Sequence, residues 1–345
     1  MRASGAGRLI PSRCGDNGAM NHRRVAWMAG SWLGLAAGTA FAQAPTPAQL
    51  APGQNCAFVT QAHADASAGT PNVNHDGSPL PGLPAPDISR GFQGIPRSAQ
   101  PPLTASQQRI LECTYRFAEA EADMPYVLFV PSTYVPGKPA PLIVDLHGLN
   151  ITPLMQMLFD GTTDLAERYG FIVLAPMGYS LSGWWGARSG RPAELSELDA
   201  MTALKLVRER YAVDSDRIYL MGHSMGGAGT YHLGGKYPDI WAGIAPISGA
   251  GGIGDAAAAE RYRSFATLLM HGEKDSIVRV DGSRRAAALL QGAGAQHLYL
   301  EFPGKDHEFW IRRGAENMEK VFLFFSTVSK RTNKGFIKAP DSPRH

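Results

Sequence analysis

From residue 142 onward the chain alternates short apolar runs with amphipathic stretches. The runs at 142–146, 171–176, 217–221, 240–247, 267–270 and 298–302 are mostly apolar, the pattern of strands buried on both faces. Between them apolar residues recur at three- and four-residue steps. Leu195, Leu198, Met201, Leu204, Val207 and Tyr211 form one such stripe, and helices are predicted there and over 153–169, 225–237, 282–290 and 317–328. Strand followed by helix, repeated, requires parallel strands joined by right-handed crossovers with helices on both faces. Ahead of this series, 111–117 and 126–130 read as two strands of an antiparallel hairpin. The predicted class is α/β: a mostly parallel, doubly wound sheet with an N-terminal antiparallel hairpin.

Residues 106–329 carry that pattern and the ends do not. Residues 43–105 are rich in Pro, Ala and Gly, which predicts an arm or linker with little regular structure, wrapped along the domain and pinned by Cys56. Lys330, Arg331, Lys334 and Lys338 make 330–345 a basic, solvated tail. Residues 1–42 read as an export signal: Arg23-Arg24, then a short uncharged apolar stretch diluted by Gly and Ala, then Ala40-Phe41-Ala42 before Gln43, with Met20 an alternative start,. The predicted location is secreted or periplasmic, with no stable membrane anchor once the signal is removed. Removal also changes the charge. The full chain is formally +3, but the signal carries five Arg and one Asp, so 28 basic residues face 29 acidic ones in the remainder, a net of −1. Nucleic acid is therefore not an expected partner. Of the three cysteines, Cys14 lies in the signal. Cys56 and Cys113 either close a disulfide in an oxidising compartment or remain separate thiols.

The candidate chemistry sits where strands end. Gly222-His223-Ser224-Met225-Gly226 joins the 217–221 strand to the following helix. A serine between glycines at such a junction can be held in a strained turn with its hydroxyl clear of the backbone. In open parallel sheets, functional residues gather beyond the carboxyl ends of the strands. Asp275 follows the 267–270 strand and His307 follows the 298–302 strand. Ser224, His307 and Asp275 are thus the candidate nucleophile, general base and orienting acid. Met225 N–H and Leu149 N–H, the latter in His147-Gly148-Leu149-Asn150 after the 142–146 strand, are the candidate oxyanion donors. Trp184 and Trp185, in a glycine-bordered loop on the same edge, are candidate substrate contacts, and one of the two could equally be buried under the loop. His223 and His271 are expected to pack or to donate structural hydrogen bonds. Gly249 to Gly254 spells a dinucleotide fingerprint, but it comes late in the chain and reads as a flexible loop beside the site. No paired ligand spacing points to a metal, and no cofactor is expected.

Taken together, Leu146-His147-Gly148, Gly183-Trp184-Trp185, Tyr211 to Asp214, Gly222 to Gly227, His271-Gly272 with Asp275, and His307 resemble an α/β-hydrolase from about residue 110 to 328. The order Ser, Asp, His is that of this superfamily. The details are similar to the secreted esterases grouped with polyhydroxybutyrate depolymerases and feruloyl esterases, and to the catalytic domain of prolyl oligopeptidases. The resemblance implies a serine carboxylesterase acting on small-molecule or polymeric esters through an acyl-enzyme. A peptidase or a polyester depolymerase are the alternatives, and a non-catalytic binding protein on this fold is the remote one. Leu149, where depolymerase-type enzymes often carry Cys, and Met225 within the serine box depart from the depolymerase pattern.

Overall fold

The structure, a computed structural model, describes residues 55–69 and 101–336. The proposed export signal, Cys14, most of the arm and residues 337–345 lie outside the described residues. Among the described residues nine strands form one sheet. They are β1 (Asn55–Phe58), β2 (Leu111–Phe117), β3 (Ala122–Phe129), β4 (Ala140–Leu146), β5 (Ile172–Pro176), β6 (Val213–His223), β7 (Gly243–Ile247), β8 (Ala266–Gly272) and β9 (His297–Phe302). The spatial order is β1-β2-β3-β5-β4-β6-β7-β8-β9. β1 to β3 and the β3–β5 pair are antiparallel, and every pairing from β5 across to β9 is parallel. The predicted hairpin is β2–β3, and the class is α/β as expected.

The helices are α1 (Gln61–Gly69), α2 (Pro153–Met157), α3 (Thr162–Tyr169), α4 (Arg191–Arg210), α5 (Met225–Lys236), α6 (Ala256–Ala259), α7 (Asp281–Gly292), α8 (Phe309–Arg312), α9 (Ala315–Thr327) and α10 (Lys330–Phe336). Alternate residues of β4 serve opposite faces. Leu142, Val144 and Leu146 join one core with Leu204, Leu220 and Leu233, while Ile143 joins the other with Tyr219, Phe322 and Phe325. Burial on both faces is why these strands are apolar runs and not alternating ones.

Three local features add to these expectations. The arm holds regular structure at β1 and α1: Cys56 lies directly opposite Cys113 across the β1–β2 pair, and the two form a disulfide. An edge strand satisfies its backbone through its neighbour, so four residues without periodicity can still be a strand. The single helix expected over 153–169 is two, because Gly161 turns with φ 85° between α2 and α3. Within the basic tail, residues 330–336 form helix α10, anchored by Asn333 Nδ2–H donating to Ala242 O at 2.7 Å and by Arg331 to Asp216 at 2.5 Å, with Arg331 still exposed.

The strand order places the site. The chain leaves β4 for β5 on one side and then crosses to β6 on the other, so β4 and β6 are neighbours whose following loops diverge. Such a switch point opens a crevice beyond the strands' carboxyl ends. Gly226 shows how close the elements come there: a Cβ on it would lie 1.9 Å from Leu146 O.

Candidate active site

β6 delivers Ser224 into a turn that L-residues rarely adopt, φ 60° and ψ −112°. Its N–H donates to Ile247 O at the end of β7 (2.9 Å), and its carbonyl accepts from Ala228 N–H (3.0 Å) and Ala250 N–H (3.3 Å). Backbone in this region costs about 1–3 kcal/mol and persists only where its surroundings fix it. The cost is met by α5, which carries glycine at 226, 227 and 229 so that the helix can press onto β4, the loop after β7 and Trp185.

The loops after β8 and β9 bring the two partners. His307 Nε2 lies 2.8 Å from Ser224 Oγ, and His307 Nδ1 lies 2.6 Å from Asp275 Oδ2. All three residues are buried. The other carboxylate oxygen, Asp275 Oδ1, accepts from Ile277 N–H (2.9 Å) and Val278 N–H (2.7 Å). Burial pushes the Asp275 carboxyl up, but hydrogen bonds from His271, His307 and Val278 outweigh it and hold the group well below the usual carboxylate range,. The carboxylate is therefore ionised at neutral pH. Facing it, His307 Nδ1 carries the proton, which leaves Nε2 as the acceptor for the Ser224 hydroxyl.

Two histidines that sequence reasoning set aside are in contact with this group. His271 Nε2 faces both Asp275 Oδ2 (3.1 Å) and Val278 O (2.9 Å), so its neutral form carries the proton there, and Nδ1 accepts from Ser283 Oγ (2.8 Å). Asp275 Oδ2 thus receives two imidazole N–H groups. His223 Nε2–H donates to His307 O (2.8 Å) and fixes the backbone of that residue. Burial, with the neighbouring His307 adding to it, pushes His223 down to about 3, so it stays neutral. Neither role is marked by local spacing, because Ser283 comes from α7 and the His307 carbonyl from the loop after β9.

The candidate oxyanion donors lie near Ser224. Met225 is the first residue of α5, where N–H groups have no intrahelical partner,. Leu149 lines a small indentation with Gly148, Ile151, Ser224 and Glu308. Glu308, also missed in the sequence, is held by Arg312 at 2.6 Å.

The tryptophans part company. Trp185 is fully buried, its N–H donating to Ser196 Oγ (2.9 Å) and its Nε1–H to His147 O (3.2 Å), with its ring edge-on to His147. It supports the loop from beneath, which corrects its assignment as a substrate contact. Trp184 is half-buried and lines a cavity of about 610 Å³ beside α5, with the Arg188 guanidinium 3.4 Å from its ring centre. The Gly249–Gly254 loop lines the same cavity. Among the described residues no group of three or more His, Cys, Asp or Glu is placed to hold a metal ion.

Comparison with known proteins agrees with this architecture. Residues 188–329 match the Phospholipase/Carboxylesterase family model. A solved thermostable esterase superposes with TM-score 0.52 at 26% identity, over 64% of this chain and 63% of that one. The chain has the α/β-hydrolase fold and is similar to esterases. Among curated relatives of this α/β-hydrolase, feruloyl esterase B of Thermothelomyces thermophilus is 31% identical over 186 residues, 52% of this chain and 60% of that protein. A bifunctional acetylxylan esterase/xylanase of Neocallimastix patriciarum is 28% identical over 152 residues, 44% of this chain and 21% of that protein. The α/β-hydrolase chain thus spans less than two thirds of the length of either relative. No helix among the described residues is long and apolar enough to cross a membrane.

Proposed function

We propose that this α/β-hydrolase is a serine carboxylesterase that cleaves acyl esters through an acyl-enzyme on Ser224. The observation that carries the reading is the unbroken chain of short contacts, Ser224 Oγ to His307 Nε2 at 2.8 Å and His307 Nδ1 to Asp275 at 2.6 Å. The Ser224 hydroxyl attacks the ester carbonyl carbon while His307 Nε2 takes its proton. The C–O bond to the alcohol then breaks, and the departing oxygen receives that proton from His307. A water molecule, deprotonated by the same nitrogen, attacks the acyl-Ser224 carbonyl, and the carboxylic acid leaves as Ser224 regains its proton. Asp275 stays ionised and stabilises the imidazolium. Leu149 and Met225 N–H groups receive the oxyanion, each lowering the barrier by about 3 kcal/mol. The feruloyl and acetylxylan esterases among the relatives support ester substrates with short or aromatic acyl groups.

Export belongs to the same proposal. It is supported by the signal pattern of residues 1–42, by the Cys56–Cys113 disulfide, which oxidising compartments favour, and by a relative from Arthroderma benhamiae described as a secreted protein,.

The test is turnover of p-nitrophenyl acetate, p-nitrophenyl butyrate and methyl ferulate beside a peptide p-nitroanilide. The expected result is measurable cleavage of the esters and much slower cleavage of the amide. Amide turnover equal to or above ester turnover would reverse the reading.

A further inference from the structure

β4 is an apolar run with one exception. Asp145 stands between Val144 and Leu146, and its side chain is wholly buried. Asp145 Oδ1 accepts from Gln156 Nε2–H of α2 at 3.0 Å, and Gln156 is buried as well. Two atoms of this pair have no partner among the described residues, Asp145 Oδ2 and Gln156 Oε1. If the carboxyl were ionised, both would be acceptors without a donor, the costly arrangement for a buried polar atom. Other buried acids of the molecule are treated differently. Asp275 receives two backbone N–H groups and two imidazoles. Asp199 receives Tyr115 OH and the N–H groups of Gly178 and Tyr179. Asp145 receives one amide.

No cation replaces the missing donors. Alternation places Asp145 on the sheet face of Ile143, and the titratable groups of β6 on that face are Tyr219 and His223,. β5 and α2 bring none. His147, just after β4, faces the carbonyls of Gly148 and Met177. α1, which packs on α2, carries His63 and Asp65, engaged by Glu112 and Gln61. Burial holds His147 and His223 below the usual histidine range and Tyr219 above the usual phenol range, so all three are neutral at neutral pH. Burial likewise pushes the Asp145 carboxyl well above the usual range, and the hydrogen bond from Gln156 does not offset it,. A single proton on Oδ2 satisfies both orphaned atoms: the carboxyl O–H donates to Gln156 Oε1 while the amide N–H donates to Oδ1.

The place of this pair gives it a task. Asp145 precedes, and Gln156 follows, the loop 147–152 that carries Leu149, the candidate oxyanion donor. The loop is fixed to its surroundings by Asn150 N–H donating to Leu181 O at 3.0 Å, and Thr152 Oγ1 caps α2 by accepting from Met155 N–H at 3.1 Å. Gln156 is thereby set on an ordered turn of helix, and its bond to Asp145 ties the end of the loop back to its start.

We propose that Asp145 is a positioning residue: it keeps its proton in the folded protein and, paired reciprocally with Gln156, clamps together the two ends of the loop that presents Leu149 N–H to the oxyanion. The clamp's part in catalysis rests on the proposed esterase reaction; the retained proton does not.

Two substitutions test both halves. Asp145→Asn supplies the same donor and acceptor without an ionisable proton, and Asp145→Ala supplies neither. An unfolded aspartate ionises near pH 4, so between about pH 5 and 7 raising the pH draws the wild-type protein toward the unfolded state. The unfolding constant of wild type, from urea titrations, divided by that of Asp145→Asn should therefore rise about tenfold per pH unit. A quotient that stays within about twofold across that window overturns the retained proton. For the clamp, kcat with p-nitrophenyl butyrate should be about tenfold or more lower in Asp145→Ala than in Asp145→Asn, part of the roughly 100-fold that losing one oxyanion donor costs, with KM little changed. Amide hydrogen exchange over 147–152, which needs no substrate, should be faster in Asp145→Ala than in Asp145→Asn. Equal kcat, a difference confined to KM, or equal exchange overturns the clamp. If neither variant nor wild type turned over any ester, the esterase reaction would fall, while the exchange rates and the unfolding quotient would still decide the clamp and the proton.

Discussion

Asp275→Asn changes one atom and, on this geometry, disables the base. Asp275 Oδ1 is fixed by two backbone donors, Ile277 N–H and Val278 N–H. The asparagine carbonyl oxygen must occupy that place, because an NH₂ there would face two N–H groups. Its NH₂ then faces His307 Nδ1 and His271 Nε2, where the carboxylate accepted at 2.6 and 3.1 Å. His307 can answer only by moving its proton to Nε2. An Nε2–H donates to Ser224 Oγ and cannot take its proton, so the hydroxyl loses its base. A tautomer error of this kind costs about 10⁴-fold in kcat, about 5.4 kcal/mol at 1.36 kcal/mol per tenfold. The assay is steady-state hydrolysis of p-nitrophenyl butyrate near neutral pH, with fluorophosphonate labelling of Ser224 as a second readout. Both rates should fall by a comparable factor while KM changes little. A loss of kcat smaller than tenfold, or an effect confined to KM, would refute the tautomer argument.

Two further outcomes follow from buried groups that take no part in the reaction. Above pH 6.5 His223 is neutral in the folded and unfolded chain and contributes no pH dependence. As pH falls from 6.5 toward the folded value of about 3, only the unfolded chain takes up the proton, so stability declines by up to about 1.4 kcal/mol per pH unit. Urea midpoints between pH 7 and 4 should fall accordingly, and His223→Gln, which keeps a donor for His307 O, should flatten the slope; an unchanged slope in that variant would contradict the assignment. Replacing both cysteines, Cys56→Ser with Cys113→Ser, reopens a loop spanning 57 residues of sequence and should cost about 4 kcal/mol. Because β1 is the edge strand farthest from β9, ester turnover at low temperature should stay within about twofold; a large loss of kcat would show that the edge supports the site.

The residues of the site were readable because chemistry and periodicity coincide. Ser224, Asp275 and His307 each follow an apolar run, and in a parallel sheet the end of such a run is the edge where functional loops gather. What the sequence could not show depends on partners far along the chain. Trp185 goes inward because Gly229 on α5 leaves room against its Cβ and Ser196 on α4 accepts its N–H. His271 meets Asp275 through a strand end that looks like any other, and its second partner, Ser283, belongs to a helix read only as an amphipathic stretch. β1 has no alternation to reveal it, since it is held by pairing with β2 and by Cys113, not by a buried face of its own. The split of 153–169 rests on Gly161, a residue that a helical pattern tolerates in sequence but that turns the chain here at φ 85°.

Ser224 as the acyl-accepting atom is the claim on which the rest depends, and intact-mass spectrometry after rapid mixing with p-nitrophenyl butyrate tests it most directly. A transient adduct of one butyryl group is expected, located on the Ser224 peptide and absent from Ser224→Ala, accompanied by a p-nitrophenol burst equal to the enzyme concentration. Turnover by Ser224→Ala at the wild-type rate, or an adduct carried by another residue, would contradict it.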